Sequence, residues 1–458
     1  MKSKPRANTW LPALPNNGEP IYSQLLSALE ADVAAGRLPA GFRMPPQREL
    51  ARTLGISAGT VTKAYAEAER LGLVQGQVGR GTFVSGREQS NGRARRVVDL
   101  SLNIPGPRMP AALLSAAFSK IGRRNDLLNY AGYIAHPGIE EHRQVFAAML
   151  RDIGYEPSAE NMLITNGAQH SMNVALGAIC KPGDTVLTEA ATFHGMKALA
   201  EFSHYKIAGV AMDADGILPE ALDQTVVRTR AKVLFTIPTL QNPTARIMSN
   251  ERRREIVKIA RKRDILLVED DVYGLIAHGV EPLAQMAPER TFYVNSFSKC
   301  VLPGLRVGLL VAPPPYLQQV YRAMRATAWM GSPIASMIIA DWIRDGTVRK
   351  IVRGMHEEAD RRTRLAKSIL GDAMPARQPP SFHIWLEMPA DEVSRLANYS
   401  RRHGVLTTPL SAPVVDQTLI CGMRVSIGAP ERIEDLESAL RVLAAGLSDD
   451  TEHHTSYI

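Results

Sequence analysis

The first 86 residues alternate between apolar positions at helical spacing and short polar breaks. Leu25, Leu26, Leu29 and Val33 recur every three or four residues, which predicts a helix from Ile21 to Ala35 with one buried face. Gly36 ends it. After a proline-rich turn from Leu38 to Pro46, Leu50, Ala51 and Leu54 predict a second, short helix that stops at Gly55. Ser57 is placed to cap a third helix, whose inner face is Val61, Ala64, Tyr65, Ala68 and Leu71. Leu73–Gln75 and Thr82–Val84, on either side of the glycine-rich stretch 76–81, read as a two-stranded hairpin. Three helices followed by a small hairpin form a winged helix-turn-helix.

From residue 98 onward the pattern changes. The short apolar runs Met162–Thr165, Thr185–Thr188, Val233–Ile237, Ile265–Val268, Phe292–Asn295 and Val307–Val311 alternate with helical periodicity. That alternation predicts an α/β fold, a mostly parallel sheet covered by helices, whose ligands bind beyond the carboxyl ends of its strands. Residues 87–97, polar and glycine-bearing with no apolar period, read as a flexible linker whose root-mean-square span is about 18 Å. The chain is thus expected to divide into residues 1–86, a linker at 87–97 and a large domain at 98–458.

Composition adds the compartment and the partner. With 45% hydrophobic and 22% charged residues the 458-residue chain reads as soluble and globular. No run of eighteen apolar residues and no secretory leader are found, so a cytoplasmic protein without a membrane partner is expected. Cys180, Cys300 and Cys421 are too scattered for a disulfide framework or a zinc site, and no metal is expected. Residues 1–96 carry fourteen Lys and Arg against seven Asp and Glu, so +7 of the formal +8 belongs to the first fifth of the chain. A basic N-terminal part of this kind points to a polyanion.

The wording of that part is specific. It carries Pro20-Ile21-Tyr22 with Gln24, Gly36-Arg37-Leu38, Gly41-Phe42-Arg43-Met44-Pro45, Arg48-Glu49-Leu50-Ala51, Thr60-Val61 with Ala64-Tyr65, and Gly79-Arg80-Gly81-Thr82-Phe83-Val84. Along its whole length it resembles the DNA-binding domain of the GntR family. The resemblance implies a third helix in the major groove of double-stranded DNA and a wing tip near the minor groove. Arg43, Arg48, Thr60, Lys63 and Arg80 can supply phosphate or base-edge contacts, with Arg48 suited to bidentate guanine reading, while Gly79 and Gly81 let the wing backbone approach closely. Ala58 stands where family members usually carry an arginine, so one contact is missing.

In the large domain polar residues collect at strand ends. Asn166-Gly167-Ala168-Gln169 opens a helix, a place for phosphate. Asp270 ends a strand with Tyr273 three residues on; Asp271 is an alternative that the Asp-x-x-Tyr spacing disfavours. Ser296-Phe297-Ser298-Lys299 ends another, with Arg306 seven residues beyond, and Gln241-Asn242-Pro243-Thr244 follows a third. As an ordered set these resemble the fold-type I aminotransferases that use pyridoxal 5′-phosphate (PLP). The resemblance implies that Lys299 forms the Schiff base, Asp270 faces the ring nitrogen, and Asn242 and Tyr273 bond the phenolic oxygen. It further implies that Ser296, Ser298, Arg306 and the backbone from Gly167 through Ala168 to Gln169 hold the phosphate, and that Phe193 stacks on the ring. Tyr130 resembles the tyrosine that reaches a neighbouring subunit's phosphate, and Arg424 the arginine that clamps a substrate carboxylate. Ala245 departs from the glycine usual after Asn-Pro-Thr, and His136-Pro137-Gly138-Ile139 departs from the usual wording before His142-Arg143.

A GntR-type reader followed by an aminotransferase-like domain resembles the MocR subfamily of bacterial transcription regulators. That implies a homodimer whose large domain senses PLP, with an amino acid or amine as a further effector, and whose DNA affinity responds. The alternative reading is a working aminotransferase with a DNA-binding appendage.

Overall fold

The computed structural model describes residues 10–12, 14, 20–34, 36–39, 41–70, 73–77, 81–84, 97–106, 110–277 and 279–449. Gly79, Arg80 and most of the expected linker lie outside the described residues. The chain divides into two compact units, Met1–Arg95 and Arg96–Ile458.

In the small unit, α1 (Ile21–Ala34), α2 (Gln47–Leu54) and α3 (Ala58–Arg70) precede the antiparallel pair β1 (Val74–Gln77) and β2 (Gly81–Val84). The apolar positions that define the helical periods meet: Leu25, Leu29, Leu50, Val61, Ala64, Tyr65 and Ala68 form one core with Val74 and Val84. Trp10 joins that core and donates from Nε1 to Asp32 Oδ2 at 2.7 Å, a contact the periodicity does not announce. The Ser57 hydroxyl accepts from the Thr60 backbone N–H at 3.1 Å, satisfying one of the donors that a helix start leaves open. Ser57→Ala is therefore expected to lower the stability of this unit by about 1 kcal/mol, read as a shifted denaturant midpoint at unchanged slope.

The large unit is organised by a seven-stranded sheet made of β3 (Met162–Thr165), β4 (Thr185–Glu189), β5 (Lys206–Val210), β6 (Val233–Thr236), β7 (Leu266–Asp270), β8 (Thr291–Ser296) and β9 (Gly308–Val311). Its order is β3-β9-β8-β7-β6-β4-β5. Strand β9 runs antiparallel to both β3 and β8, and every other pairing is parallel. The central strands are buried on both faces, which is why they read as continuous apolar runs. Strand β5 sits at the edge, starts on exposed Lys206 and contains Gly209, and the apolar pattern does not reveal it. Helices follow the strands, among them α4 (Ala168–Ile179) after β3 and α5 (His194–Phe202) after β4.

Toward the C-terminus a separate two-stranded antiparallel ladder, β10 (Ile384–Glu387) with β11 (Gly422–Val425), packs its own core with the helices Ala390–Arg402 and Ile433–Leu447. Among the described residues no helix is long and apolar enough to cross a membrane, and no cluster of metal-binding side chains occurs.

Candidate functional site

A cavity of about 260 Å³ opens at the carboxyl ends of the sheet strands. Ala168, Gln169, Phe193, Asn242, Asp270, Tyr273, Ser296, Ser298, Lys299 and Arg306 all line it. These residues come from five separate segments, each at or just beyond the carboxyl end of a strand of the sheet.

Asp270 is the last residue of β7, and successive side chains of a strand point to opposite faces. Glu269 and Asp271 therefore share a face away from the cavity. There Arg253 Nη1 lies 3.4 Å from Glu269 Oε1, both fully buried, and Tyr293 donates to Asp271 Oδ2 at 2.9 Å. Asp271 is thus occupied by a structural partner. Asp270 is buried, its Oδ1 accepts no hydrogen bond, and burial pushes its carboxyl up to about 7.

Lys299 follows β8. Its Nζ donates to the backbone carbonyl of Asn103. Burial, reinforced by the cations Arg424 and Arg306 and opposed by Asp270, pushes its amine down to about 8. A lysine held in this way keeps a usable fraction of neutral, nucleophilic amine near pH 7. Cys300 beside it is buried, and burial pushes its thiol up to about 12, which leaves it inert.

At the other end of the cavity Gly167 precedes α4 with φ +90°, and a Cβ there would lie 2.6 Å from Arg306 Nη2. Only glycine lets the arginine head approach the helix start. The first backbone N–H groups of α4, at Ala168 and Gln169, have no acceptor within the helix, and Ser296 Oγ donates to Ser298 Oγ at 2.9 Å beside them. Backbone donors, hydroxyls and a guanidinium together suit a phosphate. Gln169 Nε2 donates to Gly195 O at 2.9 Å, fixing the turn that carries Phe193.

Arg424, on β11, is 3% exposed. It donates to Asn242 Oδ1 at 3.0 Å and to the Ser101 carbonyl at 2.7 Å, and among the described residues its Nε has no acceptor and no carboxylate bonds it. A buried guanidinium held by neutral acceptors is poised for an anion. Ala245 keeps the left-handed conformation of a glycine, with φ +57°, so the Gln241–Thr244 turn is retained at about 1 kcal/mol of strain.

Tyr130 lies outside this cavity and stacks on His142 at 6.2 Å. Sequence reasoning passed over Asn103, whose carbonyl takes Lys299 and whose amide donates to the Tyr273 hydroxyl at 2.7 Å, and Ser101. It also passed over buried His383, which bonds the Gln241 carbonyl at 2.9 Å and is pushed down to about 3 by burial. The proline and glycine of Ile104-Pro105-Gly106 mark a turn just after Asn103 but do not single out Asn103 or Ser101.

In the small unit Arg43 and Arg48 are exposed and form no ion pair among the described residues. Arg43 bridges to Phe83 on β2 and lies against Gly81, whose φ is +112°. Thr60 shares a hydrogen bond with Ser57 at 2.8 Å, and Lys63 Nζ stands 3.8 Å over the Tyr22 ring. Thr62 Oγ1 donates to Gln47 Oε1 at 2.8 Å, tying α3 to α2.

Residues 95–443 match the model of aminotransferase class I and II, and residues 21–84 that of the bacterial regulatory proteins of the gntR family. The chain belongs to the aminotransferase class I and II family, joined to a gntR-family helix-turn-helix. It is a regulator of the MocR kind, with an aminotransferase-like domain behind its DNA-binding domain. The HTH-type transcriptional regulator YdeF of Bacillus subtilis is 28% identical, the match covering 97% of this chain and 98% of the relative. The probable rhizopine catabolism regulatory protein MocR of Rhizobium meliloti is 26% identical over 73% of this chain and 74% of its own. Among solved structures an archaeal alanine:glyoxylate aminotransferase aligns with a TM-score of 0.70 at 25% identity, covering 76% of this chain and 90% of that one. Membership of this family implies dependence on PLP, and the helix-turn-helix implies DNA as a partner.

Proposed function

We propose that the chain is a PLP-binding transcription regulator, in which the large unit senses PLP or an amino compound through Lys299 and the small unit reads double-stranded DNA. The observation that carries the reading is the convergence of Lys299, Asp270 with its buried Oδ1 left without a hydrogen bond, and Arg306 on one cavity, in a chain that begins with a DNA-binding fold. When bound, PLP supplies an aldehyde for a lysine amine and a ring that accepts electrons while its nitrogen is protonated.

The residues fit that group. Lys299 offers the amine, and the orphaned Asp270 oxygen is an anion site for the ring nitrogen. Tyr273 and Asn242 present polar groups for the phenolic oxygen, and Phe193 offers its ring as a stacking face. Gly167, Ala168, Gln169, Ser296, Ser298 and Arg306 cradle the phosphate. Tyr130, outside the cavity of its own chain, serves the site of a second copy in a homodimer. Arg424 exchanges its neutral acceptors for the carboxylate of an amino-acid effector. Borohydride treatment of the PLP-loaded protein followed by peptide mapping tests the reading: a reduced phosphopyridoxyl mass on Lys299 supports it, and a mass on any other lysine overturns it.

DNA recognition rests on Arg43, Arg48, Thr60 and Lys63, with Gly79 and Arg80 at the wing. Because Arg48 is exposed and unpaired among the described residues, Arg48→Ala is expected to cost about 1–3 kcal/mol of operator binding with little change on unrelated DNA. Anisotropy titrations on both DNAs check this; equal loss on both would make Arg48 a phosphate contact only.

The second reading, turnover as an aminotransferase, is favoured by Arg424, since a buried guanidinium without a counter-ion among the described residues is what an amino-acid substrate needs. Conversion of bound PLP to its amine form by L-alanine would support it.

A further inference from the structure

Residues 97–105 form a strap that joins the linker to the large unit. Its start is anchored: Val98–Asp99 pairs in parallel with Val405–Leu406, Leu100 is fully buried, and the Leu100 carbonyl accepts from Ser426 N at 2.9 Å. Beyond Leu100 the local bonds turn inward on the strap itself. Ser101 N and Oγ both donate to Asp99, two residues back, and Ile104 N donates to the Leu102 carbonyl. Leu102 and Ile104 are exposed.

What holds this part to the large unit comes chiefly from the candidate site. The Ser101 carbonyl accepts from Arg424 at 2.7 Å and from the Thr408 hydroxyl at 3.2 Å; the Asn103 carbonyl accepts from Lys299; the Asn103 amide donates to Tyr273. Ile104 and Pro105 line the cavity. Two of the three cations that a ligand would claim, Lys299 and Arg424, are therefore spent on strap carbonyls, while Arg306 donates to the Asn166 carbonyl.

We propose that the strap is the relay through which occupancy of the cavity reaches the DNA reader: a ligand that draws Lys299 to itself releases Asn103, one that also claims Arg424 releases Ser101 as well, and the loosened strap changes the constraint on the linker. The proposal rests on the reading of the cavity given above. A carboxylate bonds a guanidinium more strongly than a neutral carbonyl does, so an amino-acid ligand competes well for Arg424. Lys299 turned toward a ligand cannot also donate to Asn103. The filled and empty states then differ in the strap's contacts, which is the differential interaction that any coupling of two sites requires. No rearrangement of the sheet is needed, because the strap continues directly into the linker.

Two measurements on the full chain, with PLP as the probe, test this. Hydrogen exchange followed by mass spectrometry should show the amides of residues 101–104 exchanging at least about threefold faster with PLP than without. Insertion of four glycines between Arg96 and Val97 should leave PLP uptake, read by absorbance, unchanged and reduce the PLP-induced shift in operator affinity at least about fivefold. PLP uptake with unchanged strap amides, or a full shift in the insertion variant, overturns the relay and leaves the PLP-sensing reading standing. Absence of PLP uptake by the parent chain overturns both.

Discussion

Replacing Lys299 with alanine is expected to abolish every PLP-dependent change in DNA affinity, the variant binding the operator with one strength whether or not PLP is present. Among the described residues the amine is the one nucleophile that lines the cavity with a depressed pKa, held down by burial and by Arg424 and Arg306. Near pH 7 about a tenth of such an amine is neutral and able to attack a carbonyl, far more than for a solvated lysine. Alanine removes the attacking atom and leaves the phosphate cradle, so the variant retains weak, non-covalent PLP binding. The measurement is an anisotropy titration of operator DNA at several PLP concentrations, with absorbance recording uptake. An alanine variant with the parent's PLP response would show that Lys299 takes no part in sensing.

The second large effect concerns Asp270. Burial raises its carboxyl from the usual carboxylate range to about 7 in the folded chain. The folded state therefore holds a proton that the unfolded state releases, and the carboxyl's contribution to stability is full below about pH 4 and is lost as pH rises through about 7. Above that pH, without PLP, the buried charge costs up to about 4 kcal/mol. Asparagine cannot ionise. Asp270→Asn is thus expected to melt at a higher temperature than the parent at pH 8 in the absence of PLP, with the gap narrowing at pH 5. Saturating PLP should reverse the order at pH 8, because only the carboxylate pairs with a protonated ring nitrogen. Thermal unfolding at the two pH values, with and without PLP, reads all of this. A parent that outlasts the variant at pH 8 without PLP would contradict a carboxyl whose burial outweighs its bond to the Val272 backbone.

Much of the molecule can be read from the chain because its signals are local. The helical periods of the small unit survive in its core, and Ser57 caps the helix it precedes. The central strands announce themselves because burial on both faces demands unbroken apolar runs. Strand β5 escapes because an edge strand tolerates Lys206 and Gly209, and β10 and β11 escape because their short apolar runs are broken by the charged Glu387 and Arg424. In the site, the strand's own alternation separates Asp270 from Asp271, sending one to the cavity and the other to Tyr293. Lys299 and Arg306 are marked by side-chain type and spacing. Asn103 and Ser101 act largely through backbone carbonyls, which every residue has, so no side-chain pattern could single them out.

The account's central claim, that ligand state in the large unit sets DNA affinity in the small one, is tested most directly by fluorescence anisotropy. The full chain would be titrated onto its own upstream DNA at one fixed salt concentration, with and without saturating PLP. The account predicts a specific complex whose affinity changes by about fivefold or more when PLP is present. Specific binding of identical strength in both titrations, with PLP uptake verified by absorbance, would contradict it.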